Sequence, residues 1–207
     1  MKKISAYSGL YFSLAKQRGM TLIESVIAIV LLAIAMVSLT SFLFPNIKDS
    51  SSLHYQTRAI ALGQGFMSQI LARHFDHNSD PDGGLIRCGE GAENSIQDSC
   101  TEYDSLGAEE SDVESYNDVD DYIACWYTSQ ATKDACPANK DQRSLVDVFG
   151  DSIDTDFLNF RVEVNVFYDA DMDGIEDEEI SELKRIEMTI FAGQYGRYPL
   201  VAYRGNY

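Results

Sequence analysis

Lys16-Gln17-Arg18-Gly19-Met20-Thr21-Leu22-Ile23-Glu24-Ser25 opens an apolar run that lasts to Phe44, and its reading decides the fold. A short basic segment ends in Gly19. The apolar run begins at once and carries one acid, Glu24, at its fifth position; the next charge is Lys48. The stretch 25–47 is 23 residues long, and a helix needs only ~20 to cross a hydrocarbon core. A secretory signal looks different, with an apolar core of roughly 7–15 residues and a cleavage site after it. Here the apt cut, between Gly19 and Met20, precedes the apolar run, so the mature chain keeps its membrane segment. A plain single-span anchor would explain neither the Gly nor the position of the acid.

This arrangement resembles the prepilin signal of type IV pilins and type II secretion pseudopilins. In that family a prepilin peptidase cuts after the Gly and methylates the new N-terminus. The resemblance implies that 1–19 is a leader, that Gly19 is its last residue and that Met20 is the methylated first residue of the mature chain. Phe is usual where this chain has Met20. The physics of Glu24 gives the resemblance a mechanism. A carboxylate in hydrocarbon costs several kcal/mol unless it is paired or neutralised, and an isolated span holds no partner for it. The amine on Met20 of a neighbouring subunit supplies one, and low dielectric strengthens the attraction. Glu24 is therefore expected to set subunit register during assembly.

Charge agrees with export. Lys2, Lys3, Lys16 and Arg18 all precede Met20, so the chain from Met20 on has 12 basic residues against all 33 acidic ones. Positive charge before the span, with an acidic body after it, orients the N-terminus to the cytoplasm and the body outside. The same imbalance argues against nucleic acid as a partner, because phosphate contacts need Lys and Arg. The expected partners are other major and minor pilins, the prepilin peptidase and the inner-membrane assembly platform. The expected location is the inner membrane, with the head in the periplasm, and then an extracellular pilus.

Four cysteines, Cys88, Cys100, Cys125 and Cys136, lie beyond the span. An even number in an exported domain reads as two disulfides. Of three possible connectivities the local one, Cys88–Cys100 and Cys125–Cys136, is preferred. Zinc is disfavoured: no CxxC pair occurs, and His54, His74 and His77 sit upstream in helical sequence.

The resemblance implies an α+β pilin fold. A helix over 20–75, with 20–47 as transmembrane or filament core, would pack on an antiparallel β-sheet head, 76–207, with disulfide-bonded loops. Pro45 removes a helix hydrogen bond and predicts a kink or break. In 50–75 Leu53, Ile60, Phe66, Met67, Ile70 and Leu71 recur at roughly helical spacing and define the expected apolar face. Gly63 and Gly65 weaken that helix or permit close packing. The region 76–121 reads as surface loop; the acids of Tyr116-Asn117-Asp118-Val119-Asp120-Asp121-Tyr122 could bind a cation, but a solvated turn is the preferred reading. Phe160, Val162, Val164, Val166 and Tyr168 alternate, as do Ile186, Met188, Ile190 and Ala192, which predicts an antiparallel hairpin. Tyr198 to Tyr203, Cys125-Trp126-Tyr127 and 145–149 are further strand candidates.

Between the two hairpin runs lies Asp169-Ala170-Asp171-Met172-Asp173-Gly174-Ile175-Glu176-Asp177. Alternate carboxylates, a Gly for the sharp turn and a carbonyl near position seven match calcium's need for six to eight oxygens. The template predicts side-chain ligands Asp169, Asp171, Asp173 and Asp177, and the carbonyl of Ile175. It resembles an EF-hand loop but has Ile180 where the bidentate Glu belongs. Calcium is the one expected cofactor.

No catalytic constellation is present, so an enzyme is not expected. The preferred reading is a minor structural subunit of a type IV pilus. The stretches 58–64, 70–75, 117–122 and 203–207 look like those of minor pilins of mannose-sensitive haemagglutinin pili, which implies roles in pilus initiation, surface attachment and biofilm formation. The alternatives are a minor pseudopilin of type II secretion and a tip adhesin whose Trp126, Tyr127 and Tyr122 stack on sugar rings.

Overall fold

The structure, a computed structural model, describes residues 19–80, 86–95, 98–147 and 149–207, with the backbone alone over 43–51. The leader up to Arg18 lies outside the described residues. The chain divides into two compact units, Met1–Lys48 and Asp49–Tyr207.

Helix α1 runs Leu22–Leu71. Thr21 starts it: its hydroxyl accepts from the Glu24 amide at 3.4 Å, satisfying one donor of the open first turn. The expected break at Pro45 is absent, and helical backbone continues through it. Proline forfeits one hydrogen bond, but its fixed φ is compatible with a helix, so the turn can persist without a donor.

The head is built on a mixed five-stranded sheet. Its strands are β1 (Ala124–Tyr127), β2 (Gln142–Ser144), β3 (Phe160–Tyr168), β4 (Leu183–Ala192) and β5 (Arg197–Gly205), in the order β2-β1-β3-β4-β5. All neighbours are antiparallel except β1 and β2, which run parallel. This corrects the expectation of a purely antiparallel sheet. The difference arises in α2 (Gln130–Asp134), a short helix after β1 that returns the chain to the same end of the sheet. Ser129 caps it in a capping box with Thr132, and the Cys125–Cys136 disulfide ties its end to β1. The 145–149 strand candidate falls just past β2; Leu145 is instead a buried core residue.

The two alternating runs form β3 and β4. Phe160, Val162, Val164, Val166 and Tyr168 point inward, opposite Ile186, Met188, Ile190 and Ala192 of the neighbouring strand. Burial of each large apolar side chain contributes roughly 1.5–3 kcal/mol. The head part of α1 covers this face with Ala59, Leu62, Phe66, Met67 and Ile70. This corrects the expected stripe: Leu53 is 63% exposed and Ile60 39%. The small residue Ala59 belongs to the stripe instead, and Gly63 permits close packing beside it. A Cβ on Gly63 would sit 2.4 Å from Leu200 Cδ1 and 2.7 Å from Ile190 Cδ1, so glycine sets the distance between helix and sheet. Gly65 has open space around it.

Outer strand β5 carries Pro199 as its third residue, opposite Thr189. Beside it a smaller cluster gathers Phe75, Tyr168 and the Cys88–Cys100 disulfide. Asn206 closes this cluster by donating to the Cys88 carbonyl at 3.1 Å.

Candidate functional site

Three parts of the chain carry candidate function. The first is the start of α1. Met20 is 67% exposed, and among the described residues nothing lies within 4 Å of the Cβ position of Gly19. From Leu22 to Phe42 the helix is long and apolar enough to cross a membrane, and none of that stretch is buried. At 21 residues it spans about 31 Å. Its hydroxyls are satisfied within the helix: Ser38, Thr40 and Ser41 donate to the carbonyls of Ile34, Met36 and Val37 at 2.7–2.9 Å. These side chains therefore leave no loose donor facing hydrocarbon. Glu24, in the first turn, is exposed and is the acid of this surface.

The second is the β3–β4 loop. Asp169, Asp171 and Asp173 each bring a carboxylate oxygen to within 4.8 Å of the others. Left-handed backbone at Met172 (φ 61°) and Gly174 (φ 84°) folds the loop onto itself. Asp169 Oδ1 accepts from the Asp173 amide at 3.0 Å and Asp169 Oδ2 from the Gly174 amide at 3.1 Å. Asp177 does not converge with them; its carboxylate accepts from the Ala170 amide at 2.7 Å. The Ile175 amide donates to Asp173 Oδ1. Tyr203 Oη donates to Asp169 Oδ2 at 2.8 Å, and Arg185 Nη1 lies 3.6 Å from the same atom. Burial works to raise the Asp169 pKa, but these donors and the arginine outweigh it and hold the carboxyl below its ordinary value. Three acids thus fit a hard cation, with Arg185 as a competing charge on one of them.

The third lies outside the residues that sequence reasoning singles out. Lys184 on β4 is wholly buried and donates to Asp76 Oδ2 at 2.9 Å and Asp120 Oδ1 at 2.7 Å. It also lies over the rings of Phe75 and Tyr168, at 4.7 and 5.3 Å from their centroids. Burial opposes its charge, but Asp120 and Asp76 more than offset that and raise its pKa above the ordinary lysine value. A sequence signal exists: Lys184 is in phase with Ile186, Met188 and Ile190 on the inward face.

The expected solvated turn at 116–122 is overturned. Tyr116, Asp118, Val119, Asp120, Asp121 and Tyr122 are all buried. The turn is pinned because its carboxylates cap its own amides: Asp121 Oδ2 accepts from Asn117 at 2.7 Å and Asp118 at 3.1 Å, and Asp118 Oδ1 accepts from Asp121 at 3.2 Å. Burial, then the charge of Asp120, pushes the Asp118 pKa up to about 9. Burial, then Asp120, raises Glu109 to about 7. The sugar platform is overturned as well. Trp126 and Tyr122 are buried beside Phe66 and Tyr116, and Trp126 Nε1 donates to the Tyr122 carbonyl at 3.1 Å. These rings are core.

Residues 14–40 match the family model described as the prokaryotic N-terminal methylation motif. No curated protein and no solved structure matches the chain. The motif, the apolar N-terminal helix, the five-stranded mixed sheet and the two disulfides fit a type IV pilin α+β fold. They support a type IV pilin-like or pseudopilin subunit. The motif implies processing by a prepilin peptidase and assembly with other pilins, and suggests a structural rather than a catalytic role. The apolar helix fits membrane anchoring before assembly.

Proposed function

We propose that the chain is a minor subunit of a type IV pilus, similar to minor pilin D of the mannose-sensitive haemagglutinin pilus, with a part in pilus initiation or tip assembly and surface attachment. The observation that carries this reading is the wholly unburied apolar helix Leu22–Phe42, with Glu24 in its first turn and a methylation motif across it. Such a surface needs lipid first and other apolar helices afterwards. Glu24 adds a requirement for a cation at a fixed height, which the amine on Met20 of an adjacent subunit meets. The head would face the periplasm before assembly and the medium afterwards. Calcium at Asp169, Asp171 and Asp173 would stabilise the β3–β4 hairpin, with Ile175 and Asp177 completing the shell after Asp177 leaves Ala170.

The alternative is a minor pseudopilin of type II secretion, which shares the leader, the helix and an acidic hairpin. Mass spectrometry of sheared surface fibres and of membranes separates the two. A chain beginning at N-methylated Met20 in the fibres is the expected result. A processed chain confined to the membrane, with exoprotein secretion lost on deletion, would transfer the assignment to the pseudopilin.

A further inference from the structure

We propose that a cleft floored by Asp118 and Asp121, and rimmed by Glu109, Glu110 and Asn117, is a second divalent-cation site that takes calcium. It is built from different segments than the hairpin loop.

Each aspartate of the floor has one oxygen in use and one orphaned. Asp121 Oδ2 and Asp118 Oδ1 cap the turn amides. Asp118 Oδ2 and Asp121 Oδ1 are buried without a hydrogen-bond partner, and so are Glu110 Oε2 and Asn117 Oδ1. All four orphans are acceptors, and both aspartates are fully buried. A buried carboxylate oxygen facing only other acceptors is costly, and a cation is the group that satisfies such a set. Carboxylate oxygens of Glu109, Asp118 and Asp121 lie within 4.8 Å of one another. Ligands on opposite sides of an ion with calcium's bond lengths of roughly 2.3–2.6 Å stand that far apart.

The nearest buried cation does not fill this role, because Lys184 Nζ is held by Asp76 and Asp120. A water could donate to two of the oxygens, and protons on Asp118 and Glu109, whose pKa values burial raises, offset part of the charge when no ion is bound; calcium would displace them. Access exists, since Glu109 and His77 are exposed at the mouth. The ring of His77 is engaged at Nδ1 by Asn117 Nδ2 at 3.0 Å and stands 3.4 Å from Glu110 Oε1. The remaining donors are all oxygens, which disfavours zinc and copper. Magnesium prefers a small, largely hydrated octahedron, whereas three converging carboxylates, with Glu110 and Asn117 beside them, suit calcium. A bound ion would fasten the acidic run that starts at Glu109 to the turn whose Tyr122 and Trp126 form the core. The exposed edge of the head would then harden as calcium rises.

The test uses the full chain in detergent micelles with the hairpin loop disabled by Asp171→Asn and Asp173→Asn. Calorimetric titration with calcium chloride should still show one equivalent bound. Adding Asp118→Asn should weaken that binding roughly tenfold or more, since affinity follows ligand charge. The exposed Glu109→Gln should weaken it without disturbing the fold, which keeps the test valid if the Asp118 variant misfolds. In chelator the Asp118→Asn chain should melt no lower than its parent, because the new amide places a donor where the orphaned oxygen stood; in calcium the parent should melt higher. Absence of calcium binding by the hairpin-disabled chain would overturn the proposal, as would unchanged affinity in the Glu109→Gln chain. Equal saturation by magnesium would overturn the choice of ion.

Discussion

Replacing Lys184 by Met tests how the head holds its buried charge. The substitution keeps an unbranched chain of similar length and removes only the ammonium. Asp76 would keep three other donors: the Asn78 amide at 3.0 Å, the Thr101 amide at 3.0 Å and the Thr101 hydroxyl at 3.2 Å. Asp120 would keep only the Gly107 amide at 3.2 Å, so the loss falls mainly on Asp120. Breaking a buried pair by removing one partner costs about 3–5 kcal/mol. For a domain of this size that lowers Tm by roughly 6–20 °C. The assay is guanidinium unfolding of the full chain in detergent, followed by the fluorescence of Trp126, the single tryptophan of the sequence and a fully buried one. A second substitution, Asp120→Asn, should restore part of the lost stability, because an amide can still accept from Gly107 and no longer carries an unpaired charge. A Lys184→Met chain within about 0.5 kcal/mol of wild type would refute the reasoning, since surface-like substitutions fall in that range. So would a double variant that shows no rescue.

Three further predictions rest on separate features. Glu24→Leu should leave membrane insertion intact and reduce recovery in sheared fibres; normal recovery would remove the role assigned to the acid. Gly63→Ala should destabilise the head by about 1–2 kcal/mol net, because overpacking of up to about 3 kcal/mol against Leu200 and Ile190 exceeds the ~1 kcal/mol gained in helix propensity; an unchanged denaturation midpoint would show that those side chains give way freely. Calcium should raise the melting temperature of the chain, and Asp171→Asn with Asp173→Asn should shrink the gain; identical melting in calcium and in chelator would contradict both cation assignments.

Local periodicity makes the apolar inward positions of β3 and β4 legible, because strict alternation over several residues matches the two-residue repeat of a strand and no helical repeat. The apolar start of α1 is legible from its unbroken length. Its head-facing stripe is not: Ala59 and Gly63 carry no hydrophobic signal, yet their smallness lets the helix approach the sheet. The turn at 116–122 misleads because Asp and Asn mark solvated turns in most contexts, whereas here Asp118 and Asp121 are retained in the interior by the turn's own amides and Asp120 by Lys184 and the Gly107 amide. Lys184 escapes notice because a charge on an apolar face becomes intelligible only with its partners, and these stand 108 and 64 positions away in sequence.

Pro199 in β5 bears on how heads behave when crowded. An outer strand with free amides and carbonyls is a template for another chain, and proline on such an edge withholds a donor. Arg197 and Arg204 add like charge toward its two ends. In a fibre that carries heads side by side at very high local concentration, strand addition between sheets would be a rival and less reversible route of association. A β5 edge broken by Pro199 would leave helix docking as the route by which subunits join.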